Sequence, residues 1–362
     1  MPFKFSLPAI PRGWCRACVL AAIVAICAAT AGATEPKTSR DITIIAVGDI
    51  MLGGTATPEL ARFGYDYPFA RVADVLRRGS VVFGNLEGPL TKRGTAAGKQ
   101  YVFRSPPQLV APALARAGFN VLSLANNHSM DYGLDGLRDT MQALTQAGVH
   151  YAGAGENLAA ARQPAIIEAD GTRVAVLAYS LTFPEEFWAA ADRPGTAFGH
   201  EHQVRADVAA AKQRVDIVLV SFHWGREGTV EPRDYQRTLG RAAIDAGAAA
   251  VIGHHPHLLQ GIERYRDGVI LYSLGNFVFG SYSPDAARSA IAEFQFRNGR
   301  AREVKLYPIN VLNSEVVFQP YLLIGPAADQ VVSELQRLSQ PLGAAIENRD
   351  GIAIVPVRDN GK

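Results

Sequence analysis

Cysteine is almost absent from the sequence. The chain contains three among its 362 residues, Cys15, Cys18 and Cys27, and all three fall within the first 33 positions. A chain that lost this segment would have no disulfide bonds and no thiolate ligands for a metal.

The first 33 residues also lack acidic side chains. They carry Lys4, Arg12 and Arg16, then an apolar run of about 13 residues, and they end in the small residues "ATAGA". This is the layout of a secretory signal peptide, and we expect cleavage after Ala33. The apolar run is shorter than the roughly 20 residues that span a bilayer, although an uncleaved segment would anchor the chain to a membrane. The sequence thus predicts an exported protein, periplasmic or extracellular.

No charge of one sign dominates the composition. The 36 basic and 34 acidic residues become 33 and 34 once residues 1–33, with three basic and no acidic side chains, are removed. This balance gives no reason to expect a nucleic-acid partner. No run of like charge points to an anionic membrane surface.

Motifs for nucleophilic catalysis and nucleotide binding are missing as well. The sequence has no P-loop and no G-x-S-x-G elbow, and "SLGNF" lacks the second glycine that the elbow requires. Serine or cysteine hydrolases and P-loop enzymes are therefore disfavoured.

The sequence does contain a repeated pattern, in which a short apolar run precedes glycine and polar residues. Six such runs are "DITIIAV", "SVVF", "FNVLSLA", "DIVLVSF", "AAAVI" and "GVILYSL". Runs of this kind predict strands buried on both faces. Helical apolar spacing lies between them, in "PPQLVAPALARAG", "GLDGLRDTMQALTQAG" and "DYQRTLGRAAIDAG". The alternation predicts one α/β domain over residues 34–362, with its core at about 42–312.

The pattern weakens beyond residue 312. "VVFQPYLLIG" predicts a further pair of strands and "ADQVVSELQRLSQPLG" predicts a helix. We treat residues 313–362 as a C-terminal extension of the same domain. The loop 182–202, rich in proline and aromatic residues, is expected beside the strand ends.

Three histidines follow the run "AAAVI" in the stretch "GHHPH". In open α/β sheets, ligands bind beyond the carboxyl ends of the strands, and these histidines lie at such an end. Alternate residues of an extended segment face the same side, so His255 and His257 are predicted to point together and His254 to support them from behind. Neutral imidazole is a good ligand for Zn, Mn or Fe. The alternative is an ordinary surface loop.

The other predicted strands end in side chains suited to the same chemistry. Taken alone, Asp49 would be a turn residue and His223 a buried histidine bonded to the backbone, but their shared position favours a metal site. His128, after "ANN", is either a ligand or a general acid. The candidate ligands are Asp49, Asn85, Glu87, Asn127, His223, His255 and His257.

Seven motifs, in order, resemble those of the CapA-type family, also called poly-γ-glutamate synthesis or capsule-biosynthesis proteins. Between about residues 42 and 280 they are "GDIMLGG", "GNLEGPLT", "FRSPP", "AGFNVLSLANNHSMDYG", "HWGRE", "GHHPHLLQGIE" and "ILYSLGNFVFG". That family is related to calcineurin-like metallophosphoesterases. The resemblance implies a layered αββα sandwich with a dinuclear metal site at the strand ends. It also implies that His128 protonates the leaving group and that the ligands include Asp49, Asn127, His223, His255 and His257.

Two positions depart from the phosphoesterase pattern. Met51 stands where a histidine ligand is expected. Asn85 stands near the expected bridging aspartate, with Glu87 two residues further on. Neutral asparagine cannot offset two divalent charges, so either Glu87 restores the bridge or one metal position is weak or empty.

The fold alone does not decide among the functions that remain open. The first is a metal-dependent hydrolase of the bacterial envelope, acting on a phosphoester or an amide with one or two ions of Mn, Zn or Fe. Arg104 in "FRSPP" would orient an anionic group, unless it is an ordinary surface arginine. The second is a non-catalytic component that binds an anionic polymer, such as poly-γ-glutamate or a capsular chain, in an envelope synthesis complex. The third is a module that senses metal or small anions.

Overall fold

The protein is described by a computed structural model that covers residues 41–357. The predicted signal peptide and its cleavage site lie outside these residues. Within residues 41–357, no helix combines the length and the apolar character needed to cross a membrane.

Strands and helices alternate along most of the described chain. The strands are β1 (Asp41–Ile50), β2 (Val81–Leu86), β3 (Val121–Ser123), β4 (His150–Ala152), β5 (Ala154–Gly155), β6 (Ala165–Ala169), β7 (Thr172–Ser180), β8 (Gly195–Thr196), β9 (Ile217–His223), β10 (Ala250–His254), β11 (Ile262–Tyr265), β12 (Gly268–Leu271), β13 (Asn276–Val278), β14 (Arg288–Arg297), β15 (Arg300–Asn310), β16 (Tyr321–Leu322), β17 (Glu347–Arg349) and β18 (Ile352–Pro356). The α-helices are α1 (Thr57–Phe63), α2 (Ala73–Leu76), α3 (Pro107–Arg116), α4 (Gly133–Gln146), α5 (Leu158–Ala161), α6 (Glu201–Lys212), α7 (Asp234–Asp245), α8 (Asn313–Val316) and α9 (Pro326–Ser339). The three helices predicted from apolar spacing are confirmed as α3, α4 and α7.

Most strands join one of two large sheets. The larger runs in the order β17-β18-β15-β14-β1-β2-β3-β4, with β13 beside β1 and β16 beside β15. The smaller runs in the order β11-β12-β10-β9-β7-β6. Strands β1 to β4 are parallel neighbours, and so are β7, β9, β10 and β12. Parallel neighbours place their carboxyl ends at one edge of each sheet.

Three apolar clusters show how the layers stack. The first lies between the sheets and contains Phe83 of the larger sheet and Ile252 of the smaller one. The second joins the outer face of the larger sheet to helices α1 to α4, with Leu114 and Leu137 among its members. The third joins the outer face of the smaller sheet to α6 and α7 and includes Val208. The order is helix, sheet, sheet, helix, so the predicted αββα sandwich is confirmed.

The carboxyl ends of the two sheets meet, as predicted. In the larger sheet, Asp49 of β1 pairs with Asn85 of β2 and with Asn276 of β13. In the smaller sheet, His223 of β9 pairs with His254 of β10. The His254 ring crosses to the larger sheet, where its Nδ1 lies 3.1 Å from Asp49 Oδ1.

The C-terminal segment forms part of the sandwich. Strand β18 pairs with β15 in the larger sheet. Helix α9, which the sequence predicted, places Val331, Val332 and Leu335 in the apolar cluster between the two sheets. Each of these buried side chains stabilises the fold by roughly 1.5–3 kcal/mol relative to exposure.

One C-terminal prediction is wrong. Residues 316–325 contain a single two-residue strand, β16, rather than a pair of strands. The chain turns sharply before it, because Val317 and Phe318 have φ angles of 50° and 61°. The side chain of Asn313 fixes this turn by donating to the carbonyl oxygen of Phe279 at 2.5 Å and accepting the N–H of Phe318 at 3.1 Å.

The segment 182–202 lies beside the strand ends, as predicted, but it is not all loop, because it contains β8 and the first two residues of α6. Trp188 Nε1 donates to the carbonyl oxygen of Thr182 at 2.9 Å and ties the loop to itself. Phe187 is buried, and the ammonium group of Lys99 lies 5.5 Å from the centre of its ring. Because Lys99 contacts His128, the loop reaches the neighbourhood of the candidate site.

Gly253 occupies a position that has no room for a side chain. A Cβ there would lie 1.9 Å from the carbonyl oxygen of Tyr272 and 2.6 Å from Nε1 of Trp224, which bond to each other at 3.0 Å. We expect Gly253→Ala to lower the free energy of unfolding by about 1–3 kcal/mol, the usual result of overpacking. Denaturant unfolding would measure it. Gly98→Ala is the matched control, since no atom lies within 4 Å of its added Cβ. Equal stability of the two variants would contradict the prediction.

Candidate metal centre

The centre begins with buried side chains around Asp49. Asn85 Nδ2 donates to Asp49 Oδ1 at 2.9 Å, and Asn85 Oδ1 accepts from Asn126 Nδ2 at 3.0 Å, so both ends of the Asn85 amide are engaged. Burial would raise the pKa of Asp49, but hydrogen bonds from His254 and His257 hold it well below its ordinary value. Asp49 is therefore ionised, and His254, which the sequence predicted to support His255 and His257, lies against Asp49.

Glu87 has no hydrogen bond to either carboxylate oxygen within residues 41–357, although both oxygens are buried. The Nε2 atoms of His223, His128 and His257 surround Glu87 Oε1 at 3.7, 3.9 and 4.0 Å. Burial and then the charge of Asp49 raise the pKa of Glu87 well above its ordinary value. Buried polar groups normally have partners, so this carboxylate needs a compensating charge.

His223 ends β9 and is buried among amide groups. Its Nε2 lies 2.7 Å from Asn127 Oδ1, and its Nδ1 lies 3.2 Å from Asn85 Nδ2. Burial and then the nearby His255 lower the pKa of His223 well below its ordinary value. His223 is therefore neutral, which is the form that binds metals.

His255 and His257 lie close to each other, but not because their segment is extended. Their φ angles are 94° and 58°, so the chain coils here and the prediction of an extended H-P-H segment is wrong. Their ring centres are nevertheless 6.0 Å apart. The carboxylate of Asp49 organises the coil, because its Oδ2 accepts the N–H of His255 at 3.2 Å and lies 3.2 Å from Nδ1 of His257.

The same two histidines differ in charge. Burial and then the charge of His257 lower the pKa of His255 to about 3. Burial also acts to lower the pKa of His257, but the carboxylates of Glu87 and Asp49 raise it to about 9. The Nδ1 atom of His257 also lies 2.9 Å from Asn276 Oδ1. The carboxylates thus hold a positive charge at His257, and a bound cation would supply that charge instead.

Three overlapping sets of donor atoms could hold an ion, with the atoms of each set within 4.8 Å of one another. The sets are Glu87, His223 and His255; Asp49, Glu87 and His257; and Glu227, His255 and His257. We call Asp49, Glu87, His223, His255 and His257 the histidine–carboxylate cluster. Glu87 belongs to two of the sets, so its carboxylate lies between two possible ion positions.

His128 is held beside Glu87 by an acidic partner. Its Nδ1 lies 2.8 Å from Asp131 Oδ2, which leaves Nε2 directed towards Glu87. Lys99 Nζ lies 2.6 Å from Asp131 Oδ1 and 3.1 Å from His128 Nδ1. The ring of Phe103 packs against that of His128 with 4.8 Å between centres. The ring is thus fixed from two sides, in the way that a positioned acid or base requires.

The model of one protein family, described as bacterial capsule synthesis protein PGA_cap, matches residues 43–281. The chain belongs to this family. The matched range includes the whole histidine–carboxylate cluster together with His128 and Asp131. The resemblance inferred from the seven motifs is therefore confirmed.

Named bacterial proteins show the same relationship. The chain is 34% identical over 282 residues to the capsule biosynthesis protein CapA of Bacillus anthracis, and the aligned region covers 76% of this chain and 69% of that protein. It is 34% identical over 268 residues to the PGA biosynthesis protein CapA of Bacillus subtilis (strain 168), and the aligned region covers 73% of this chain and 70% of that protein. A similarity of 37% over 206 residues, to a probable polyglutamine synthesis accessory protein of Mycobacterium tuberculosis, covers 54% of each chain.

Solved structures resemble this PGA_cap chain more distantly. The NAD nucleotidase of Haemophilus influenzae is 10% identical with a TM-score of 0.47, covering 83% of this chain and 56% of that one. The calcineurin-like phosphoesterase YfkN of Bacillus subtilis is 14% identical with a TM-score of 0.43, covering 73% and 88%. Sequence identities this low bear on the fold alone. The layered order of this chain rests on its own sheets and apolar clusters, as described above.

Among the predicted site residues of this PGA_cap family member, Arg104 lies apart from the others. Its guanidinium group stacks over the ring of Tyr132 at 4.5 Å, and its side chain is exposed. No hydrogen bond or ion pair joins it to the cluster within the described chain. Met51, where the resemblance implied a histidine, accepts the N–H of Gly53 on its Sδ at 3.2 Å.

Sequence reasoning missed four residues around the centre: Lys99, Asp131, Glu227 and Asn276. Asp131 carries a usable signal, because it follows His128 by three positions in "NHSMD". Glu227 closes the motif "HWGRE" but resembles a surface charge. Asn276 also carries a signal, because it follows the apolar run "GVILYSL" as the predicted ligands follow theirs. Lys99 carries none, because it follows no apolar run and its partner His128 lies 29 positions further along the chain.

Proposed function

We propose that this chain holds one or two divalent cations in the histidine–carboxylate cluster and uses them to hydrolyse a bond in an anionic exopolymer of the bacterial envelope. The supporting observation is Glu87, a buried carboxylate that lacks a hydrogen-bond partner within residues 41–357 and faces three histidines. The polymer is inferred from membership of a capsule synthesis family and from relatives named for capsule and PGA biosynthesis. Export across the inner membrane is part of the same proposal and rests on residues 1–33.

The donor set fits a divalent metal. Imidazole nitrogens combined with carboxylate oxygens suit Zn, Mn or Fe. We assign one ion position to Glu87, His223 and His255 and the other to Asp49, Glu87 and His257, in line with the distances among their donor atoms. Glu87 then lies between the positions and supplies the charge that a neutral bridge would lack.

The two asparagines take different roles in this proposal. Asn127 directs its Oδ1 at His223 Nε2 over 2.7 Å, so its carbonyl oxygen faces the first ion position. Asn85 donates to Asp49 and accepts from Asn126, so it orients Asp49. Such supporting partners typically change metal affinity by about 10–100-fold.

The surrounding residues would move the proton and exclude water. A bound divalent cation polarises the bond to be cut and acidifies water. His128 would give a proton from Nε2 to the leaving group; burial lowers the pKa of His128, and the hydrogen bond between its Nδ1 and Asp131 acts in the opposite direction, to favour the protonated form. Lys99 ties Asp131 to the carbonyl oxygen of Asn127, to which its Nζ donates at 2.6 Å. Phe103 covers one face of the His128 ring and keeps water from it.

A second function, binding of the polymer without cutting it, is supported by Asn85 and Met51. They place a neutral amide and a thioether where the phosphoesterase resemblance implied charged or nitrogen ligands. An ion with fewer ligands would bind more weakly. A site with low ion occupancy would still bind anions but would not activate water. The chain would then serve in assembly of the polymer within an envelope synthesis complex.

The metal content of the purified protein tests the proposal. After incubation with Mn²⁺, Zn²⁺ or Fe²⁺ and desalting, we expect elemental analysis to find one or two ions per chain. The double variant His255→Ala/His257→Ala should lose them, because every donor set contains at least one of these two side chains. His150→Ala, at an exposed histidine of β4, is the matched control and should keep them.

Activity then separates the two functions. Metal-loaded protein should hydrolyse bis(p-nitrophenyl) phosphate or a γ-linked glutamate oligomer, and the double variant should not. Metal without hydrolysis of either compound would replace the hydrolase by the polymer-binding function. Absence of metal from the wild-type protein would overturn both the assignment of the ion positions and the proposed metal-dependent hydrolysis.

A further inference from the structure

A basic pocket lies next to the candidate metal centre. It is a cavity of about 390 Å³ whose walls include Lys92, Arg104, Ser105 and Tyr132. Gly54, shortly after the end of β1, also lines it. We refer to this cavity as the basic pocket.

Phe103 separates the basic pocket from the metal centre. Its ring contacts the His128 ring, and its N–H donates to Asp131 Oδ2 at 2.7 Å. The next residue, Arg104, lines the basic pocket, as does Tyr132, which follows Asp131 in the chain. Arg104 and Tyr132 are the chain neighbours of Phe103 and Asp131, so the basic pocket adjoins the residues that hold His128.

The segment that forms one wall of the pocket has an unusual charge. Residues 88–106 contain four cations, Lys92, Arg93, Lys99 and Arg104, and no acidic residue. Arg93 pairs with Asp139 at 2.5 Å and Lys99 pairs with Asp131 at 2.6 Å. Lys92 and Arg104 have no carboxylate within ion-pair distance among residues 41–357. Both cations without such a partner line the basic pocket.

The ring of Tyr132 holds the guanidinium group of Arg104 in place. The stacking distance of 4.5 Å is a cation–π contact, which fixes the plane of the group while its N–H donors stay free at the edge. A planar guanidinium with free N–H groups matches the two oxygens of a carboxylate or phosphate. The ammonium group of Lys92 adds a second, more adaptable charge.

We propose that the basic pocket binds one anionic group of the polymer, next to the unit whose bond lies in the metal centre. The anionic group is a carboxylate of a polyglutamate chain or a phosphate of a sugar-phosphate chain, since both present paired oxygens to Arg104. The link to bond cleavage depends on the proposed function, but binding at the pocket does not require metal. Lys92 and Arg104 thus set the register of the polymer.

The test is binding of two fluorescent probes, measured by anisotropy at low salt, to wild-type protein and charge variants. The probes are a γ-linked glutamate decamer and a polyphosphate of equal charge. Lys92→Met/Arg104→Met should weaken binding of the preferred probe by about 5- to 30-fold, because it removes two exposed ion pairs of about 0.5–1 kcal/mol each. The metal content of this variant should equal that of the wild-type protein.

The matched control removes the same charge elsewhere. Arg71 is an exposed arginine stacked over Tyr321 at 4.2 Å, and Lys212 lies at the end of α6. Arg71→Met/Lys212→Met should bind the probe as the wild-type protein does. Equal weakening in both double variants would show that net charge alone acts and would overturn the proposal, as would a wild-type protein that binds neither probe.

The two probes and the metal assay keep the outcomes separate. Preference for the decamer identifies a carboxylate ligand, and preference for polyphosphate identifies a phosphate ligand. If the wild-type protein contains no metal but still binds a probe through Lys92 and Arg104, the pocket stands and the proposed hydrolysis fails. If metal and hydrolysis are found while the pocket variant binds normally, the pocket fails alone.

Discussion

Glu87→Gln is expected to stabilise the metal-free protein and to weaken its metal binding. In the metal-free state the change replaces a buried carboxylate, whose charged form burial and the charge of Asp49 disfavour, by a neutral amide of the same shape, so we expect a gain of about 1–3 kcal/mol. In the metal-bound state it removes the charge between two ion positions. We expect the affinity for Mn²⁺ or Zn²⁺ to fall at least about 100-fold, the upper end of what loss of a supporting partner produces.

The two effects act in opposite directions on the melting temperature, depending on whether metal is present. A 100-fold loss of affinity corresponds to about 2.7 kcal/mol of ligand-induced stabilisation at a metal concentration well above both dissociation constants. Differential scanning calorimetry with chelator should therefore show Glu87→Gln melting above the wild-type protein. With excess metal, the order should reverse or the difference should vanish.

Glu263→Gln is the matched control for this prediction. Glu263 is also buried, but it accepts from Tyr272 Oη at 2.5 Å and from Arg241 Nε at 2.8 Å. Removing its charge weakens satisfied bonds, so the variant should melt below the wild-type protein with chelator and with metal alike. If Glu87→Gln also melts lower under both conditions, Glu87 is an ordinary structural carboxylate and the bridging assignment fails.

Much of the centre could be predicted because strand ends are visible in the sequence. Asp49, Glu87 and His223 each lie at or just after the end of a continuous apolar run, and parallel strands bring such ends to one edge. Their separation along the chain does not matter, because the alternation of strands and helices fixes the architecture. The α/β class followed from the same runs together with the helical spacing between them, whereas the layered αββα order was implied only by the family resemblance.

The conformation at His255 and His257 could not be predicted, although their proximity could. A period of two applies to extended backbone, and the positive φ angles show that this segment is not extended. The contact that shapes it comes from Asp49, about 200 residues earlier in the chain. Local patterns do not contain such long-range contacts.

Lys99 is a second residue whose contacts the local sequence does not predict. It lies in a glycine- and alanine-rich loop, where local chemistry indicates only a solvated charge. In the structure its ammonium group contacts the carbonyl oxygen of Asn127 and the side chains of His128 and Asp131. Only the path of the loop over the strand ends brings it there. The wrong strand pair after Asn313 has a similar cause, since one buried amide side chain overrides an apolar pattern that favours strand.

His128→Gln is expected to lower kcat by about 100- to 10,000-fold, the range that a positioned general acid contributes. The metal content should remain that of the wild-type protein, because His128 belongs to none of the donor sets found within residues 41–357. KM should change little, since the side chain would act on the leaving group rather than on ground-state binding. Steady-state kinetics with bis(p-nitrophenyl) phosphate or a γ-linked glutamate oligomer, together with elemental analysis, would measure all three quantities.

Two further variants define what the result means. Asp131→Asn keeps the shape of the partner that lies 2.8 Å from His128 Nδ1, so it should lower kcat by less than His128→Gln does and leave the metal in place. His150→Gln, at the exposed histidine of β4, should change neither quantity. Loss of metal along with activity in His128→Gln would make His128 a ligand, the alternative that its position after "ANN" left open. Full activity in that variant would remove His128 from the chemistry and leave proton transfer to water at the cluster.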